Sequence, residues 1–121
     1  MSRAIDIFRS LREDLAPGDL GVLKTEVRAH LDELVLAQRK NELIALDLAD
    51  ALCVRLETLL AMAHLFDGEA RANVVGAARY FISSLDDKPD DASCTGLDDD
   101  VEVFNHVVRL LGREDLVIDD G

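Results

Sequence analysis

Tryptophan is absent from this 121-residue chain, tyrosine occurs once and lysine three times. Aromatics make up 4% of the residues and hydrophobic residues 49%, so a core has to be assembled from Leu, Val, Ile and Ala. Such a composition suits packed helices. With so few lysines, and arginines scattered singly, no basic stripe is available to a nucleic-acid backbone. The acids outnumber the bases 25 to 13, and the net charge of -12 repels phosphate backbones and anionic membrane surfaces. Nucleic acid and membrane are therefore not expected partners, whereas a basic protein surface, a cation or a cationic ligand is.

Two cysteines do not make a disulfide framework: Cys53 lies in an apolar run and Cys94 in a polar one. The expected compartment is a reducing cytoplasm. The first residues lack the uninterrupted apolar stretch of a signal peptide. The longest apolar-rich run, 43–66, is broken by Asp47, Asp50, Arg55 and Glu57, which a lipid-facing helix would not tolerate. A soluble protein is expected.

Helical periodicity recurs along the chain. Ile5, Phe8, Leu11 and Leu15 form a first short stripe, stopped by the turn chemistry of Ala16-Pro17-Gly18-Asp19. Asp19 is placed to cap a second helix, whose apolar positions are Leu20, Leu23, Val27, Leu31 and Leu34. The pattern fades at 38–41, where Asn41 can cap a third helix, although one continuous helix is also open. The dense apolar content of 43–66 predicts the most buried helix of the domain, ended by Asp67-Gly68.

A fourth helix is predicted over 69–84, rich in small residues (Ala70, Ala72, Gly76, Ala77, Ala78) that admit a close neighbour. The stretch 85–97 contains Pro89 and Gly96 among many polar residues and predicts a loop. Asp99 and Glu102 have capping-box spacing ahead of a fifth helix with Val101, Phe104, Val107, Val108 and Leu111 on its stripe and Gly112 as its stop. The acidic tail, 113–121, carries Leu116-Val117-Ile118 and reads either as a docked extended segment or as a partner-binding peptide. No internal repeat is visible, so residues 1–121 are expected to form one all-α domain, a compact bundle of four to five helices.

The residues that look most specified run from Arg79-Tyr80 into Asp86-x-x-Pro89-Asp90, then Gly96, then Asp99-Asp100. This spacing resembles the YkvA-like family of bacterial domains of unknown function over roughly residues 66–111, with Asp67-Gly68-Glu69 similar to the polar turn before the penultimate helix. The chain departs from that pattern at Asp91-Ala92-Ser93-Cys94-Thr95, where family members carry apolar residues and a further Pro, and at Ser83-Ser84, where a Pro is usual. The resemblance implies an all-α fold and supplies no catalytic residues.

Asp86, Asp90, Asp99 and Asp100 are hard oxygen donors that two helix ends can bring together around Ca²⁺ or Mg²⁺. The competing reading has each carboxylate capping a helix or accepting backbone N–H bonds. A degenerate EF-hand register also runs from Asp91 to Glu102, with Gly96 at its sixth position. Arg79 lies seven residues, about two helical turns, before Asp86; with Tyr80 it can hold the carboxylates in a polar clasp between the fourth and fifth helices. Arg79, Tyr80, Pro89, Gly96 and Glu102 are thus expected as structural members of the motif.

Glu26 with His30 and Glu102 with His106 are spaced four apart, as metal ligands or as salt-bridged or solvated side chains. His64, in an apolar stretch, is expected in the core or at its boundary. No phosphate loop, nucleophile elbow or dinucleotide fingerprint occurs, and no catalytic residue or organic cofactor is implied.

The function expected from all this is an acidic interaction or regulatory domain that meets a basic partner. The alternatives are a Ca²⁺ or Mg²⁺ binding domain and a Mg²⁺-dependent enzyme acting on a phosphorylated substrate. A helical homodimer is open if the second and third helices are continuous.

Overall fold

The computed structural model describes residues 3–38, 46–83 and 96–118. Among them are five α-helices: α1 (Arg3–Leu11), α2 (Pro17–Gln38), α3 (Leu46–Ala61), α4 (Gly68–Ser83) and α5 (Gly96–Leu110). Single 3₁₀ turns follow α3 at Ala63–Leu65 and α5 at Glu114–Leu116. The apolar stripes converge on one core, so the chain is a single all-α bundle.

The predicted stripes of α2 and α5 are the buried ones. Leu20, Leu23, Val27, Leu31 and Leu34 all lie in the core, as do Val101, Phe104, Val107 and Val108. In contrast, α3 is not the most buried helix. That position belongs to α4, which packs against each of the other four helices and buries every residue from 72 to 78. Small side chains are the reason. At Gly76 an added Cβ would stand 2.8 Å from the ring of Phe8 and 3.0 Å from the Arg12 side chain, so α1 lies directly on the α4 backbone there. Phe8 is 1% exposed and fills the space that the glycine leaves. Burial of such a side chain is worth about 2–3 kcal/mol.

Several boundaries shift for identifiable reasons. α1 stops at Leu11, and residues 12–16 are irregular. Arg79 of α4 reaches across to donate to the Leu11 carbonyl at 3.1 Å, satisfying one of the acceptors that a helix end leaves open. α2 begins at Pro17, whose missing N–H costs nothing in a first turn, and Asp19 sits inside that turn and not ahead of it. α3 ends at Ala61; a 3₁₀ turn then carries the chain to Asp67, whose carboxylate accepts the Ala70 N–H at 2.8 Å and caps α4.

α2 and α3 pack side by side, with Cys53 Sγ 3.9 Å from the Val27 carbonyl and Arg28 bonded to Glu57. They are two helices and not one continuous helix, which removes the premise of a dimer built on a single long rod. α5 begins at Gly96, inside the segment expected as loop, so Asp99 falls within its first turn and not at a capping position.

α5 ends as its glycine predicts. Gly112 has φ 74°, the Arg113 N–H bonds the Val108 carbonyl at 2.8 Å and the Gly112 N–H bonds Arg109 at 3.2 Å. This is a Schellman stop. Beyond it the tail docks on its own domain. The Asn105 amide accepts the Ile118 N–H at 2.8 Å and donates to the Ile118 carbonyl at 3.0 Å, while the Ile118 side chain enters the core at 7% exposure.

Candidate functional site

Of the acidic motif, Asp86, Pro89 and Asp90 lie outside the described residues, as does Cys94, and of Asp99 only the helical backbone is described. Gly96 opens α5 and Glu102 is exposed on it. Gly96, the sixth position of the EF-hand register, is already helical, whereas an EF-hand holds its central glycine in an open loop; positions 91–95 of that register lie outside the described residues. Asp100 is 3% exposed and turned into the bundle, and Tyr80 is buried at 5%, each engaged by a neighbour. Burial of both gives them a part in holding the fold.

Arg79 has partners that its place in the sequence does not reveal. Its guanidinium turns to α1, bonding Leu11 and pairing with Glu13 at 2.9 Å. It joins α4 to the segment after α1; the carboxylates Asp86 and Asp90 that it is expected to hold lie outside the described residues. Two more ion pairs reinforce the same seam: Arg12 with Glu69 at 3.2 Å and Asp14 with Arg71 at 2.8 Å. Arg71 uses all three of its nitrogens, two on Asp14 and the third on the Phe66 carbonyl at 2.6 Å. The hydrogen bonds from Arg71 hold the Asp14 carboxyl below its ordinary range.

Beside this pair is an open cleft of about 390 Å³, lined by Asp14, Leu15, Ala16, Pro17, Leu20, His64 and Arg71. His64 stands exposed at its edge and not in the core, because the 3₁₀ turn after α3 rotates it outward. Arg71 is neutralised by Asp14, and among the described residues no Cys, Ser or Lys lines the cleft. Asp86 and Asp90 lie outside the described residues, and neither Asp100 nor Glu102 is among those that border the cleft.

The spaced Glu and His pairs do not assemble as ligand pairs. His30 is buried with its ring edge-on to Phe81 at 4.9 Å, whereas Glu26 is exposed. His106 sets its ring against Phe8 at 5.9 Å, whereas Glu102 points to solvent. Among the described residues no group of three or more His, Cys, Asp or Glu is placed to hold a metal ion. Cys53 is fully buried, and burial pushes its thiol up to about 11. It behaves as a small apolar side chain.

The distribution of charge is the remaining feature, and the sequence alone does not disclose it. Arg9, Arg12, Arg28, Arg71, Arg79 and Arg113 each pair with a carboxylate of the same chain. Asp19, Glu26, Asp32, Glu33, Asp47 and Asp50 meanwhile stand exposed on α2 and α3. Internal pairing therefore consumes cations and leaves the acid surplus facing solvent. Among the described residues no helix is long and apolar enough to cross a membrane. Comparison with protein-family models, curated proteins and solved structures finds no match to this chain.

Proposed function

We propose that this domain is a non-enzymatic acidic interaction module that binds a basic protein surface in the cytoplasm. The observation that carries this reading is the pairing of six arginines within the chain, while the carboxylates of α2 and α3 remain exposed under a net charge of -12. A field of that sign speeds the encounter with a cationic partner and rejects polyanions. The resemblance to YkvA-like domains over roughly residues 66–111 supports the helical frame and adds no activity to it.

The test is a panel of basic, neutral and acidic peptides titrated into the protein and followed by amide NMR. Basic sequences are expected to bind, with affinity falling as salt is raised from ~50 to ~500 mM. Equal binding by neutral or acidic sequences sinks the reading. A Ca²⁺ or Mg²⁺ site on Asp86, Asp90, Asp99 and Asp100 is decided in the same apparatus: saturable shifts on adding either ion would replace the interaction module with an ion-binding one.

A further inference from the structure

The outward side of α2 carries a pattern that the core does not explain. Its buried residues, from Leu20 through Leu34, occupy one arc of the helix, against α3 and α4. On the opposite arc lie Val22, Glu26, Ala29, Glu33 and Leu36, all exposed. Their spacing alternates four and three, so at 3.6 residues per turn they form one straight stripe about 20 Å long. Val22 and Leu36 are 59% and 58% exposed, unusual for large aliphatic side chains in the middle of a solvent face. The order along the stripe is apolar, acid, small apolar, acid, apolar. This is the a/d seam of a coiled coil in which one of the two positions is carboxylate.

We infer that this stripe of α2 docks a basic amphipathic helix of a partner protein. The inference rests on the acidic-module reading and locates the module's surface. Charge complementarity selects the occupant. A facing helix with aliphatic residues opposite Val22, Ala29 and Leu36, and Arg or Lys opposite Glu26 and Glu33, meets every position of the stripe. A second copy of the chain docked in parallel would set Glu26 and Glu33 against the same two carboxylates, and in either direction two chains of net charge -12 repel each other. An anionic membrane surface is repelled for the same reason. The flanks agree: Asp19 and Asp32 are exposed beside the stripe, whereas Arg28 lies toward α3 and is held by Glu57. Ala29 at the midpoint lets the partner's backbone approach closely. A seam of two heptads is small, which places the complex in the transient class of interfaces.

The probe is a three-heptad helical peptide with Leu at its d positions and Arg at its a positions, used beside a twin with Glu in place of Arg and a scrambled peptide of the same composition. Saturable amide shifts confined to α2 are expected from the basic peptide alone. Glu26→Lys with Glu33→Lys should weaken it by about tenfold or more, since it sets like charges against the Arg positions. Val22→Ser with Leu36→Ser should weaken it without changing charge. All four positions are exposed, so circular dichroism should show an unchanged fold, and Asp47→Lys with Asp50→Lys on α3 should leave affinity nearly unaltered. Equal binding by the scrambled peptide, or shifts centred on α3 or α5, overturns the docking stripe while leaving the acidic module standing. Self-association mapped to the stripe by sedimentation and NMR overturns the choice of occupant. Failure of every basic peptide to bind overturns both readings.

Discussion

Asn105 closes a ring with Ile118: its side-chain amide accepts the backbone N–H of Ile118 and donates to the carbonyl of the same residue. One amide side chain thereby does for a single residue of the tail what a neighbouring strand does in a sheet. The half-buried position makes both bonds worth more than at an exposed site.

Asn105→Ala should cost about 1–3 kcal/mol, the usual sum for two such bonds, and should release the tail. Asn105→Asp is the sharper variant, because a carboxylate accepts from the Ile118 N–H but cannot donate to its carbonyl. Thermal unfolding gives the stability, and hydrogen exchange at Ile118 reports the release; full protection of that amide in Asn105→Ala would show that Ile118 is held by its side chain alone.

The same substitution at two glycines should have opposite signs. Alanine is favoured over glycine within a helix by about 1 kcal/mol, and at Gly21 nothing stands within 4 Å of the added methyl, so Gly21→Ala should stabilise. At Gly76 the methyl meets the Phe8 ring at 2.8 Å, and Gly76→Ala should destabilise by about 1–3 kcal/mol. Paired denaturant melts decide it, and stabilisation by both would mean that α1 yields easily.

Asp14 titrates low because Arg71 bonds its ionised form. A carboxyl depressed in the folded state contributes stability that is full above its unfolded value of about 4 and is lost as pH falls through the lower folded value. The gap in melting temperature between the native protein and Asp14→Asn should accordingly be constant from neutral pH down to about 5 and then close in acid. A gap that persists unchanged to about pH 2 would assign the effect to packing.

Cys53 should resist thiol reagents in the folded protein, being fully buried with its thiol raised to about 11. In a Cys94→Ser background, labelling at neutral pH should follow the unfolding equilibrium and accelerate with denaturant. Rapid labelling in the absence of denaturant would reveal local opening between α2 and α3.

Helix number, helix stripes and the Gly112 stop were legible because each depends on residues three to five apart. The tail's docking is one of the two readings that the sequence leaves open, and the choice between them is not legible because Asn105 and Ile118 are linked by an amide that leaves no periodic trace. Nor was the central place of α4 legible, because its small residues look weakly apolar when read singly and matter only where Phe8 closes on Gly76. The early end of α1 depends on Arg79, which is 68 residues away from the carbonyl it takes. For the candidate site, the sequence reading singled out the acidic motif, of which Asp86, Pro89 and Asp90 lie outside the described residues. The outward seam of α2, Glu26 included, leaves no mark of its own in the sequence, since it emerges only once the inward one is known.

Residues 12, 13 and 14 each reach α4 through one ion pair, in the order plus, minus, minus against minus, plus, plus. The seam is thus written in signs. Reversing one partner at a time breaks a rung, whereas reversing both members of a rung rewrites the same word in the opposite alphabet. Position along the seam is therefore fixed by matching charge as well as by shape, and a slip of one residue would set Glu13 against Glu69, the acid that Arg12 now holds.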